Sequence, residues 1–384
     1  MKKVSASFKL LLSCMFLLTT CFDLKAQLQN FQHDGMTRRY IYHAPANLPT
    51  NAPLVVVMHG YSGGANSIKN YSEMNDVADE YGFAVCYPQG TADNFGEKFF
   101  NVGYDFHDDV MVNDVDFIVT LVEYLQTTYS LSAENVFATG LSNGGDMCYM
   151  LACEAANTFK AIAPVAGMML ETITAECEVE NPMPVFEIHG TNDDITYFEG
   201  DINNNDGWGA YPDIPTTIDF WVNANACTDI EIDTLPNIST NDGSYVISEK
   251  HLNGINGNEV WLYKIVNGEH DWPGAWGNMD ISASVEAWLF FERFLGFPTA
   301  IDEPHFEDKS VVLYPNPVND MAYLQVGKNK IGKEYFIYDI YGKQLKKATI
   351  SATKIEVSFD WLEKGLYFVN VGGKAGNTMK FLKK

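Results

Sequence analysis

The sequence predicts an α/β protein, a mostly parallel central sheet with helices on both faces, followed by a small all-β sandwich. Three observations carry that expectation. The apolar, β-branched run Leu54-Val55-Val56-Val57-Met58 ends in the glycine-rich turn His59-Gly60-Tyr61-Ser62-Gly63-Gly64, as a strand buried on both faces does. A β-like run at 135–139 passes through Gly140-Leu141-Ser142-Asn143-Gly144 into a helix-like run at 146–155. Beyond residue 308 the alternation of strand and helix gives way to short strands and turns. At 384 residues, 46% of them apolar and 13% aromatic, the chain can bury a large core and still form a second, smaller domain.

Taken in order, the N-terminus comes first. Lys2, Lys3 and Lys9 precede an apolar run at 10–18, and Leu24-Lys25-Ala26 ends in a small residue. Residues 1–26 therefore read as a secretory signal peptide cleaved after Ala26, with a lipid anchor at Cys21 as a poorer fit because Thr20 precedes it. The run falls short of the ~20 apolar residues that a membrane span needs. The first domain is expected at 27–297, a proline-marked linker at 298–308 and the sandwich at 309–384.

The chemistry-bearing residues follow. Ser142 occupies a strand-to-helix turn, flanked by glycines that leave room for the backbone and the incoming helix. Such a serine projects its Oγ above the sheet, and the backbone N–H of Asn143 faces any oxyanion that develops there. A buried-type strand at 184–188 runs into His189-Gly190-Thr191-Asn192-Asp193-Asp194, which puts acids at the C-terminal end of a parallel strand. His270 lies in Gly268-Glu269-His270-Asp271-Trp272-Pro273-Gly274, between a strand at 260–265 and a helix at 281–294. Serine as nucleophile, histidine as general base and an acid to orient it suit two-step acyl transfer without a cofactor or metal. Asp193 is taken as the acid, and Asp194 on the same loop stays as the alternative. His59 is expected to support its loop rather than to react.

These segments, with Asp114-Val115-Asp116-Phe117-Ile118, together resemble one branch of the α/β-hydrolases, the secreted polyhydroxybutyrate-depolymerase-like and feruloyl esterase group. The likeness runs over about residues 30–297. It implies the α/β-hydrolase fold, a serine carboxylesterase, Ser142 as nucleophile, Asp193 as acid and His270 as base. It also implies that the main-chain N–H groups of Tyr61 and Asn143 form the oxyanion hole. The chain departs from the expected pattern in the acids Glu269 and Asp271 that flank the histidine.

Charge separates the two domains. Residues 27–308 hold eight Lys and Arg against forty-three Asp and Glu, whereas residues 309–384 hold thirteen Lys against six acids. So acidic a first domain excludes nucleic acid and anionic membrane as partners, disfavours densely anionic polysaccharide and leaves neutral esters as substrates. The tail segments Leu313-Tyr314-Pro315-Asn316-Pro317, Tyr338-Asp339-Ile340-Tyr341-Gly342-Lys343 and Lys364-Gly365-Leu366-Tyr367-Phe368-Val369 resemble a type IX secretion sorting domain. That resemblance implies the type IX machinery as partner and an extracellular or cell-surface destination reached through the periplasm.

Aromatic residues between and beside the acid and histidine loops suggest the walls of a substrate site: Trp208, Tyr211, Trp272 and Trp276. They suit a hydroxycinnamoyl (feruloyl) ester of plant cell-wall polysaccharide, with a polyhydroxyalkanoate or other polyester and acetylxylan as alternatives. A secreted binding protein on the same scaffold is the non-enzyme alternative. Cys153 and Cys177 form a candidate disulfide in an oxidising compartment. The stretch at 200–207 resembles part of a calcium loop but lacks the closing bidentate glutamate.

Overall fold

A computed structural model describes residues 27–107, 110–179, 181–296, 312–314, 316–339, 343–372 and 377–384. The expected signal peptide and the linker lie outside the described residues. The chain divides into two compact units at residues 298 and 299.

The first unit is built on strands β1 (Gln29–His33), β2 (Met36–His43), β3 (Leu54–Met58), β4 (Ala84–Gln89), the short pair β5 (Thr91–Ala92) and β6 (Lys98–Phe99), β7 (Val136–Leu141), β8 (Ala161–Val165), β9 (Val185–Gly190), β10 (Asp229–Thr234), β11 (Tyr245–Leu252) and β12 (Val260–Val266). Its helices are α1 (Ala65–Ser72), α2 (Met74–Tyr81), α3 (Asp114–Tyr129), α4 (Asn143–Glu154), α5 (Glu171–Glu176), α6 (Ile214–Asn225) and α7 (Ala283–Glu292). Among the described residues a ten-stranded sheet runs β1-β2-β4-β3-β7-β8-β9-β12-β11-β10. The strands from β4 to β12 are parallel, and antiparallel strands flank them on both sides.

Both faces of the parallel strands are buried, which explains their continuous apolar runs. Alternate residues point to opposite faces. Leu54, Val56 and Met58 pack with Phe117, Leu121, Met147 and Trp221 of α3, α4 and α6. Val55 and Val57 pack with Ile68, Val77, Phe290 and Phe291 of α1, α2 and α7. No helix among the described residues is long and apolar enough to cross a membrane.

One local expectation changes. The helix after the serine starts at Asn143 rather than at residue 146, so Gly144 and Gly145 form its first turn. Their lack of a side chain serves packing: a Cβ on Gly144 would sit 2.4 Å from the Met58 carbonyl oxygen, and one on Gly145 would sit 2.9 Å from Gly167 Cα. At α3 the side chain of Asn113 caps the helix by accepting from Asp116 N–H at 2.9 Å. Asp114 is buried instead, paired with Arg38 and accepting from Asn101 N–H at 2.7 Å. Cys153 and Cys177 form a disulfide.

In the second unit β13 (Val312–Tyr314), β14 (Met321–Gln325) and β17 (Lys354–Ser358) make one antiparallel sheet. The other contains β15 (Glu334–Asp339), β16 (Gln344–Thr349), β18 (Gly365–Val371) and β19 (Asn377–Lys383), in the order β16-β15-β18-β19. Leu324, Ile337, Val357, Val369 and Phe381 share one buried core. The lysine-rich β16 was not expected from its composition.

Candidate active site

Ser142 stands between β7 and α4 with φ 56° and ψ −123°, a backbone conformation that a side-chain-bearing residue rarely adopts. The surroundings hold it there. Its N–H donates to the Val165 carbonyl at 2.9 Å, and its own carbonyl accepts from Gly145 and Asp146 N–H at 2.6 and 2.9 Å. A Cβ on Gly140 would meet the Gly144 carbonyl at 2.5 Å, so the glycines on both sides of the serine are needed for this close turn. Ser142 is 8% exposed, and among the described residues its Oγ forms no hydrogen bond.

The end of β3 lies beside it, where a Cβ on Gly60 would come 3.2 Å from Ser142 Cβ. His59 is buried there. Its Nε2 accepts from Gly90 N–H at 3.0 Å, which assigns the remaining proton to Nδ1, and that proton goes to the Gly60 carbonyl at 2.7 Å. Burial holds this imidazole down at about 4, so it stays neutral. The Tyr61 N–H has no partner among the described residues. Asn143 begins α4, where a first-turn N–H has no partner within the helix. Its side chain is fully used, accepting from Phe100 N–H at 2.7 Å and donating to the Phe100 carbonyl at 2.9 Å.

The acid and the histidine meet on the same edge of the sheet. His270 Nδ1 donates to Asp193 Oδ2 at 2.7 Å. The Asp193 side chain is fully buried, with Oδ1 accepting from the N–H groups of Ile195 and Thr196 at 2.9 and 2.8 Å. Burial alone would raise its carboxyl; the His270 hydrogen bond and the imidazole charges outweigh it and hold the group below the usual carboxylate range. Asp194 is exposed and does not reach His270. Thr196 ties this pair to the end of β8, the strand whose Val165 carbonyl accepts from Ser142 N–H. Its hydroxyl donates to the Ala166 carbonyl at 2.8 Å and lies 3.2 Å from His270 Nδ1.

The candidate wall residues divide. Trp208 is half-buried and packs edge-on against Tyr61 at 5.5 Å and Phe106 at 5.2 Å between ring centroids. Trp276 is 69% exposed on the histidine loop. Tyr211 and Trp272 are corrected: both are in the core, at 2% and 1% exposure, and neither can wall a site. The Tyr211 hydroxyl accepts from Tyr197 N–H at 3.0 Å, and the Trp272 indole donates to Ser284 Oγ at 3.1 Å. Composition alone did not point to Phe106, which is 41% exposed and stacks on Tyr104 in the same aromatic shelf.

The 200–207 stretch is closed by hydrogen bonds of its own. Asp201 accepts from Asn205 Nδ2 at 2.7 Å and Asp206 N–H at 3.0 Å, and Asn204 donates to Asp105 at 2.5 Å. Asp105 N–H in turn donates to the Trp208 carbonyl at 3.2 Å, so this loop holds the shelf together. No group of three or more His, Cys, Asp or Glu among the described residues is placed to hold a metal.

The family described as Esterase PHB depolymerase matches residues 38–222, and that described as Secretion system C-terminal sorting domain matches residues 312–384. NocK of Nocardia uniformis subsp. tsuyamanensis, an esterase by name, is 30% identical over 252 residues, 62% of this chain and 72% of NocK. The bifunctional acetylxylan esterase/xylanase XynS20E of Neocallimastix patriciarum is 27% identical over 44% of this chain, which spans 23% of that protein. A feruloyl esterase C of Aspergillus oryzae is 29% identical over 46% of this chain, which spans 62% of it. Among solved structures, the acetyl xylan esterase from Aspergillus awamori superposes with a TM-score of 0.46 and 16% identity, covering 64% of this chain and 94% of that one.

Proposed function

This chain belongs to the PHB-depolymerase family of esterases, and from that premise we propose that it is a secreted serine carboxylesterase acting on hydroxycinnamoyl esters of plant cell-wall polysaccharide. The observation that carries the reading is the 2.7 Å bond from His270 to the buried Asp193, at the sheet edge where the strained Ser142 turn lies. In the proposed reaction His270 Nε2 takes the Ser142 proton as Oγ attacks the ester carbonyl. The N–H groups of Tyr61 and Asn143 hold the resulting oxyanion. Collapse breaks the ester bond and releases the alcohol, which leaves with the proton from His270. Water then gives a proton to His270 and attacks the acyl-serine. Collapse of this second intermediate frees the carboxylic acid, and the proton returns to Ser142.

The shelf of Tyr61, Phe106 and Trp208 supports an aromatic acyl group, which stacks on such faces. Trp276 on the histidine loop offers a further exposed ring. The acidity of residues 27–308 favours a neutral ester. The sorting domain at 312–384 supports export by type IX machinery to the cell surface or beyond.

The test is hydrolysis of methyl ferulate, p-nitrophenyl acetate and a hydroxybutyrate oligomer by the full chain, each beside its Ser142→Ala variant. Preference for ferulate with a silent variant supports the proposal. Preference for the oligomer moves the enzyme to polyester hydrolysis. Undiminished turnover by Ser142→Ala overturns the serine mechanism, and failure to hydrolyse any of the three leaves a binding role.

A further inference from the structure

Behind the acid lies a second pair of ionisable groups that the proposed reaction does not use. Glu187 and His189 alternate along β9 on one face of the sheet, and both side chains are fully buried. Glu187 Oε1 faces His189 Nδ1 at 2.9 Å and accepts from Gly167 N–H at 3.3 Å. Its Oε2 accepts from the Tyr149 hydroxyl at 2.9 Å. On the other side of the ring, His189 Nε2 meets the Thr196 carbonyl at 2.8 Å and lies 3.5 Å from Asp193 Oδ2. That oxygen is the one bonded to His270.

These contacts locate the protons. A carbonyl oxygen only accepts, so His189 Nε2 carries a hydrogen. The contact between Nδ1 and Oε1 needs one more. Burial raises the Glu187 carboxyl, but its two other donors, Tyr149 and Gly167, favour the ionised form, and the pairing places that proton on the ring. Burial opposes a charge on His189, but the hydrogen bond and charge of Glu187 outweigh it and raise the group. The ionisable groups that act on the ring are Glu187 on its own strand, Asp193 from the following loop and Asp146 from α4, with Tyr149 of α4 bonded to Glu187 and His270 from the loop after β12 bonded to Asp193.

We propose that His189 is a buried imidazolium and a positioning residue, whose charge keeps Asp193 ionised and available to His270. The inference rests on the reading of Ser142, His270 and Asp193 as the reacting set. Asp193 Oδ2 then stands between two imidazoles, and a proton reaching it displaces two favourable interactions at once. An enzyme so built keeps its base oriented further into the acid range than one whose acid faces a single histidine.

Two measurements on the full chain test this. In the ¹⁵N-labelled protein, imidazole ¹⁵N–¹H correlations at neutral pH should show both His189 nitrogens protonated, in the parent and equally in Ser142→Ala. The signals are assigned by their loss in His189→Asn. A neutral, single-tautomer His189 overturns the proposal while leaving the serine mechanism untouched. In the second, the acid limb of kcat/KM should move up by about one pH unit in His189→Asn and in Glu187→Gln. A folded variant that loses kcat with its acid limb unmoved has lost only packing, and that outcome also overturns the proposal. Should His189→Asn fail to fold, Glu187→Gln keeps the shape of the pair and decides the question. Turnover retained in Ser142→Ala would instead remove the reading on which the inference stands.

Discussion

The His59 ring donates to the carbonyl oxygen of Gly60 at 2.7 Å, and Gly63 N–H donates to the same oxygen at 3.0 Å. That carbonyl belongs to the peptide unit whose N–H is that of Tyr61. In a planar trans peptide the two groups point in opposite directions. Holding the oxygen on one side therefore aims the Tyr61 N–H to the other. Gly60 itself lies against Ser142, so a buried imidazole sets the direction of a proposed oxyanion donor. Replacing His59 by alanine should lower kcat by about tenfold to a hundredfold, less than outright loss of an oxyanion donor costs, with KM little changed. Steady-state kinetics on methyl ferulate would check this.

His59 also bears on stability against pH. Its folded value of about 4 lies below the ordinary 6.5, so the unfolded chain binds a proton in that window that the folded chain refuses. Stability is full above pH 6.5 and falls as pH drops through the window, by up to about 3 kcal/mol. Asp146 acts in the opposite sense. Burial pushes its carboxyl up to about 7, so its contribution is full below 3.8 and is lost as pH rises toward 7. The two slopes offset each other in the parent between pH 4 and 6.5. Relative to it, Asp146→Asn should gain stability as pH rises through that range, and His59→Gln should lose it. Urea unfolding at several pH values reads both slopes.

Asp193 and Asp194 are adjacent in sequence and opposite in circumstance. Asp193→Asn leaves an amide that can donate to His270 Nδ1 and favour the wrong tautomer, so kcat should fall by about 10⁴. Asp194→Asn, on an exposed side chain without a bond to His270, should retain the parent rate. Equal losses in the two variants would contradict the assignment.

Trp208 should matter for some esters and not for others. In Trp208→Ala the rings of Tyr61 and Phe106 lose their common neighbour. The kcat/KM for methyl ferulate should fall about tenfold, and that for p-nitrophenyl acetate should change less than about twofold.

Gly144→Ala should damage the fold locally. The added methyl group would lie 2.4 Å from the Met58 carbonyl oxygen and 2.9 Å from that of His59, and neither is a flexible side chain that can give way. A loss of about 3 kcal/mol is expected, measured by urea unfolding.

How much of this was legible beforehand depended on what kind of information each residue carries. Ser142 and His270 stand in short motifs whose strand and helix neighbours are local, and local patterns are written in sequence. The choice of Asp193 over Asp194 turns on burial, which two adjacent acids on one loop do not reveal. Tyr211 and Trp272 were misassigned because an aromatic residue suits a core as well as a wall. The bond between His59 and Gly60 depends on how strand β3 meets the loop after β4, a contact between segments about thirty residues apart. Glu187 did leave a trace. A carboxylate within Val185-Phe186-Glu187-Ile188, in a strand buried on both faces, must have partners, and the sequence does not name them.

The proposed walls and the proposed reacting groups are secured in different ways. Ser142 and the Tyr61 peptide are pinned where glycines bring main chains into contact, and Asp193 and His270 are bonded to each other at the ends of β9 and β12. The Trp208 loop closes on its own Asp201, and the turn after β5 closes on its own Asp93, which accepts from Phe95 and Glu97 N–H at 2.8 and 2.9 Å. Each loop thus supplies part of its own bonding, while Asn204 bonded to Asp105 and Tyr61 bonded to Asp93 at 2.6 Å tie the loops to neighbouring segments and to the serine side. Such segments can be exchanged together with the neighbours they touch, because residues in contact do not contribute additively. The scaffold is suited to grafting: a new pair of loops could redirect it to another ester while the catalytic machinery is inherited unchanged.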